Sequence, residues 1–154
     1  MSTQHSAIVL PADCHEPKGC PTAGAGKVYV ADGAASGAWG WQPQAITLDI
    51  ATLNTVTDYH LVIPHAGTIS KIYSVIDAAV ATADKVLTAS IAGTPITDGA
   101  LTITSAASAA GDVDSCTPSA ANTVTAGQAV KIAATGGSTG DARAHITIIY
   151  TRTA

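Results

Sequence analysis

Phenylalanine is absent from the 154 residues, methionine occurs once, and the aromatic side chains amount to four tyrosines and two tryptophans. A core made from this chain must therefore be packed from branched aliphatics and alanine. Charge is scarce too: 12% of residues are charged, with seven Lys and Arg against eleven Asp and Glu, for a net charge of −4. The cations are scattered singly, with no basic run. This argues against a nucleic acid or an anionic membrane as partner, since both need clustered cations. No stretch approaches the ~20 apolar residues of a membrane span. The start, MSTQHSAIVLPADC, has no positive region, and its apolar run Ala7–Leu10 stops at Pro11, too short for a secretory signal. Asp13 ahead of Cys14 also departs from the small residue of a lipoprotein signal. The expectation is a soluble chain made in the cytoplasm and not exported by a standard route.

What the chain does have is Ala, Val, Ile and Thr. Hydrophobic residues make up 47% of it, and such a composition favours β-structure with a small-residue core. At this length one domain is the default, burying a little under ~70% of its unfolded surface. Up to Pro43 the sequence is irregular, with Pro at 11, 17, 21 and 43, repeated Gly, and two short apolar runs, AIVL and VYV. Nothing there can bury itself, so residues 1–43 read as an extended irregular arm.

Residues 44–154 read as a β-domain. Strands are expected near 45–53, 58–63, 68–78, 85–92, 99–105, 122–125, 129–134 and 142–151. The breaks are Pro64–Gly67, AGTP at 92–95, DG at 98–99, AAG at 109–111, AG at 126–127 and GGSTGD at 136–141. Short strands with frequent breaks indicate an all-β fold, an antiparallel, jelly-roll-like β-sandwich. Ile69, Ile72, Ile76 and Val80 also fit a helical stripe, but the Ser and Tyr residues within the run, with Pro64 and Gly67 ahead of it, favour a strand. The stretch from Ala133 to Ala154 reads as a flexible hairpin feeding a long last strand. There Ile149 falls on the otherwise polar face, as in a self-associating domain.

Groups that could carry chemistry do not converge. Cys14 and Cys20 flank HEPKG, and with His15 they offer three ligands, but a second half-site for zinc is lacking, so no metal is expected. A Cys14–Cys20 disulfide would clip the arm into a loop if the protein left the reducing cytosol. Cys116 reads as a small apolar filler, with pairing to a neighbouring chain as the alternative. No strained nucleophile elbow is present. His60 and His65 flank LVIP and read as exposed or packed histidines. DVD at 112–114 lacks the Gly and Glu of a calcium loop, and TAGAGK at 22–27 lacks the spacing of a phosphate loop. No catalytic residue and no cofactor are expected.

Trp39 and Trp41 stand two apart in GKVYVADGAASGAWGWQP, so in extended chain both project to one side, with Tyr29 a short loop away. They can anchor the arm on another surface, each burying ~150–250 Å², or close the end of the sandwich where the arm enters. A sugar-stacking platform is a third reading, with few polar partners nearby.

VYVADGAASGAWGW, followed by GTISKIYSVIDAAVATADKVLTASIAGTPIT and GQAVKIAATGGSTGDARAHITIIYT, resembles the capsid decoration proteins of tailed bacteriophages, also called cement or head-fibre proteins. The resemblance runs over most of residues 27–151. It implies a jelly-roll-like domain, a homotrimer, on the outer capsid surface of the virion. The arm would then lie over the major capsid protein, bridging capsomers, with Tyr29, Trp39, Trp41 and Ile149 as candidate capsid or subunit contacts. CHEPKGC is not part of that pattern. The alternative is a phage fibre or accessory β-domain that binds host-surface glycans through Trp39, Trp41, Tyr59 or Tyr73.

Overall fold

The structure, a computed structural model, describes residues 26–31, 37–55, 57–136 and 141–153. It divides into two compact units, Met1–Gln42 and Pro43–Ala154.

In the first unit β1 (Val28–Ala31) and β2 (Gly37–Gly40) pair antiparallel, with Tyr29 opposite Trp39. Here the structure departs from an arm irregular throughout. VYV supplies a β-branched, aromatic half-strand, and the Trp39 ring meets Tyr29 edge-on, with centroids 5.5 Å apart and planes at 70°. Such a pair contributes about 0.5–1.5 kcal/mol beyond its buried area, which helps a hairpin that is marginal alone.

The second unit is an antiparallel sandwich. Its strands are β3 (Pro43–Ile50), β4 (Asp58–Ile63), β5 (Gly67–Ile76), β6 (Lys85–Ile91), β7 (Thr94–Ile103), β8 (Val113–Cys116), β9 (Thr123–Val124), β10 (Gln128–Thr135) and β11 (Ala144–Arg152). One sheet has the order β3-β11-β5-β8, with β9 also paired to β5; the other has the order β4-β10-β6-β7. The pairings nest. First strand pairs with last, β4 with β10, β5 with β8 and β9, and β6 with β7. That is an antiparallel ribbon rolled so that successive pairs fall in alternate sheets, the jelly roll. Residues of both sheets form one buried cluster, among them Ile50, Ile69, Ile72, Ile76, Ile146 and Ile148 from the first and Leu61, Ile63, Leu87, Leu101, Val130 and Ile132 from the second. Tyr150, 1% exposed, is its only aromatic.

Ile69, Ile72 and Ile76 are all buried in β5, and the helical spacing has a local cause. Along β11, Ile149 pairs with Lys71 but Tyr150 pairs with Ile69, so Ser70 has no counterpart. One extra residue resets the alternation. Gly67 and Ile69 point inward before it, and Ile72, Ser74 and Ile76 after it. The Ser70 hydroxyl, freed from the core, donates to the Ile149 carbonyl at 3.3 Å. On the other side of β5 the ladder is broken at the same place: β8 pairs with residues 72–75 and β9 with 67–68. Between them the Asn122 side chain donates to the Ile69 carbonyl at 2.7 Å.

Three further expectations are corrected. GGSTGD does not turn a hairpin, because β10 and β11, the strands on either side of it, belong to different sheets. Val113–Cys116, between the strands expected at 99–105 and 122–125, forms a strand of its own, β8. DG at 98–99 does not interrupt the chain: Asp98 takes a left-handed φ of 57°, and β7 kinks and runs on from Thr94 to Ile103.

Candidate assembly surface

Strand register brings distant residues together on the outer face of the first sheet. One row across β3, β11, β5 and β8 reads Thr47, Thr147, Tyr73, Ser115; the next reads Asp49, His145, Val75, Val113. Beside them, Ala45, Ile149 and Lys71 form a third row. Val113 is 64% exposed and Tyr73 39%, while Ile149 and Val75 are half-buried. Side chains from three strands thus make an apolar stripe fringed by threonines. Its cation is held within the face: the Lys71 ammonium lies 5.7 Å from the Tyr73 ring centroid and donates to Thr117 Oγ1 at 2.8 Å. At the rim, His145 Nδ1 meets Asp49 Oδ1 at 2.5 Å. The outer face of the second sheet is more polar at its centre, with His60 exposed and Lys131 paired to Asp58 at 3.1 Å.

Ile149, singled out in the sequence, lies on this stripe. Tyr73 was named there only as a sugar contact, and Val75 and Val113 were missed. The V-D-S-C alternation of 113–116 was the available signal for Val113. Tyr29 and Trp39 pair within the hairpin, and β2 ends at Gly40, so strand geometry does not carry both tryptophans to one side. Of the six aromatics Tyr73 alone is exposed by more than a third, whereas the Tyr59 hydroxyl is tied to the Thr52 carbonyl at 3.3 Å. A glycan platform asks for at least two. Cys14 and Cys20 lie outside the described residues.

Ionisable groups are dispersed. His60 is exposed on β4, and His65 is exposed in the turn beyond it. Cys116 is free and half-buried against the core, and burial pushes its thiol pKa up. Burial also raises the carboxyl of Asp114, with Asp112 adding to the effect. Lys85 is fully buried, its ammonium 3.3 Å from the Gly136 carbonyl, and desolvation pulls its pKa down. The Asp84 carboxyl accepts from the Ser105 N–H at 2.8 Å and its hydroxyl at 3.0 Å, which lowers its pKa. Among the described residues no group of three His, Cys, Asp or Glu side chains could hold a metal. They include no helix long and apolar enough to cross a membrane. The surface offers contact area and hydroxyls.

No protein-family model matches the chain, and neither does the sequence of any curated protein. Solved structures do. A chain of the cyanophage Pam1 capsid asymmetric unit aligns with TM-score 0.51 and 14% identity, over 80% of this chain and 92% of that one. A chain of the capsid of Ralstonia phage GP4 aligns with TM-score 0.51 and 16% identity, over 75% of this chain and 87% of that one. Both neighbours come from phage capsids. At such identities the likeness is one of fold, and it takes in nearly the whole of each capsid chain.

Proposed function

We propose that this protein is a structural component of a phage virion that binds the outside of the capsid and stabilises it. In this reading it is a homotrimer, and residues 1–43 lie over the major capsid protein and bridge capsomers. The observation that carries it is the jelly roll shared with chains of two phage capsids over nearly their full length. Two features support it. The apolar stripe of Ile149, Tyr73, Val75 and Val113 suits burial against a protein surface. The small hairpin unit ahead of Pro43 holds three of the six aromatics, the residue type that dominates contact energies. A trimer standing on three feet gains avidity from contacts that are individually weak.

The test is to mix the purified protein with undecorated, expanded heads and follow co-sedimentation and the heat resistance of the particles. Stoichiometric binding with raised heat resistance is expected. A variant without residues 1–42, which keeps β3 whole from Pro43, should stay folded and remain in the supernatant. Full binding by that variant would remove the arm from the mechanism, and no binding by the intact protein would turn attention to glycans.

A further inference from the structure

The two lateral margins of the sandwich are finished differently. At the β7 and β8 margin the segment after β8 crosses over: Thr97 of β7 donates to the Ala120 carbonyl at 2.9 Å, and Ser119 donates back to the Thr97 carbonyl at 3.0 Å. Pro95 and the kink at Asp98 blunt that edge further. Natural sheets guard their edges by such means because an open strand edge is a template for another strand. The β3 and β4 margin has no such cover among the described residues. β3 runs eight residues with its one proline at the first position and one charge, Asp49. Its inward side chains Ile46 and Leu48, with Tyr59 of β4, pack on the core yet remain only half-buried. From Ile46 to Ile50 the outer edge thus combines unpaired backbone groups with an incompletely covered apolar seam.

The sequence contains a segment that fits such an edge. Outside the described residues there is a single run of large apolar side chains, Ile8-Val9-Leu10, two of them β-branched, ended by Pro11. A strand must stop at that proline, which can no longer donate to a ladder. Residues 11–25 reach up to about 50 Å when extended, beyond a domain whose radius of gyration is about 13 Å. That reach extends past one body to the next.

We propose that Ala7–Leu10 of one copy adds as a strand to the outer edge of β3 in a second copy, its apolar side chains covering the seam at Ile46, Leu48 and Tyr59. Main-chain hydrogen bonds supply the pairing and alternate side chains the selectivity, as in other strand additions. The contact is heterologous, arm to edge, so copies related by a closing rotation form a ring, three in the trimer proposed above, with no β3 edge left over. It concerns self-association and is tested without capsid, so its failure and that of the capsid reading are separate events.

The experiment uses the full chain, its Ile8→Asp/Leu10→Asp variant and a Ser2→Asp/Ser6→Asp control of equal added charge. Sedimentation gives the mass over a concentration range, and hydrogen exchange follows residues 45–50. The expected result is an oligomer in the wild type and the control, with exchange at 45–50 slowed at least about tenfold and released on dilution. The variant should be monomeric, fast-exchanging at 45–50, and unchanged in circular dichroism. An I8D/L10D variant of wild-type mass, or unchanged exchange at 45–50, would overturn the proposal. Protection that persists in a dilute monomer would mean that the run docks on its own chain, and would overturn the exchange between copies.

Discussion

Deleting a residue from a buried strand should ruin a sandwich, because a shift of one sends every following side chain to the wrong face. Ser70 is the exception this fold provides. It has no counterpart on β11, and its removal leaves Gly67, Ile69, Ile72, Ser74 and Ile76 in unbroken alternation on the inner side. Tyr150 keeps Ile69 as its partner, and β9 follows by one residue. The deletion forfeits the exposed hydrogen bond from the Ser70 hydroxyl to Ile149, worth about 1 kcal/mol, or roughly 5 °C in Tm for a domain of this size. Thr147 is the control. It lies in the middle of β11, paired on both sides to β3 and β5. Its loss must turn outward either Ala144 with Ile146 or Ile148 with Tyr150, all at most 1% exposed. Burial alone puts that at about 3–6 kcal/mol, a large part of the 5–15 kcal/mol that typically holds a domain together. Thermal unfolding followed by far-ultraviolet circular dichroism separates the two. If the Ser70 deletion unfolds the protein as the Thr147 deletion does, β5 is not two alternating halves joined by one surplus residue, and the register assigned above is wrong.

Three more outcomes are expected. Because burial holds the folded-state pKa of Asp114 above its unfolded value, the folded chain loses stability as pH rises through the carboxylate range. Asp114→Asn should therefore raise Tm at pH 7 and match wild type in acid, as a pH series of melting curves will show; equal Tm values at neutral pH would contradict it. Desolvation disfavours the charged form of buried Lys85, and its cost is complete below the folded-state pKa. Lys85→Met should then match or exceed wild-type stability near neutrality, by up to about 1–2 kcal/mol, with the advantage shrinking at alkaline pH; denaturant titration reads it. Tyr73→Ser with Val113→Ser should leave the isolated chain within about 0.5 kcal/mol of wild type while weakening attachment to heads in the sedimentation assay, and unaltered attachment would clear the stripe of that role.

Alternation made much of the fold legible. The runs DYHLVI, KVLTASI and AHITIIYTR each form a strand close to its expected bounds, since most of their inward positions are Leu, Ile and Ala, joined by Tyr59 and Tyr150. β8 escaped because its inward positions are Asp114 and Cys116, which do not read as core. The crossing from β10 to β11 was misread because Gly, Ser and Thr signal only that the chain turns, and not whether it returns beside itself or passes to the facing sheet. The apolar stripe was the least legible feature. Ile149 could be found within one strand, but Tyr73, Val75 and Val113 join it only through a sheet order in which β5 lies between the last strand and β8.

Both tryptophans lie within the Met1–Gln42 unit, and the sandwich core holds one tyrosine and otherwise aliphatic residues. Intrinsic indole emission is therefore a private signal of the leading unit. It reports the surroundings of that unit, so a fluorescence trace on heating is not by itself a reading of whether the body is still folded. Tyrosine emission excited at shorter wavelength, or the amide band in the infrared, is needed for the body. Read side by side, the two channels distinguish the leading unit from the body without a label.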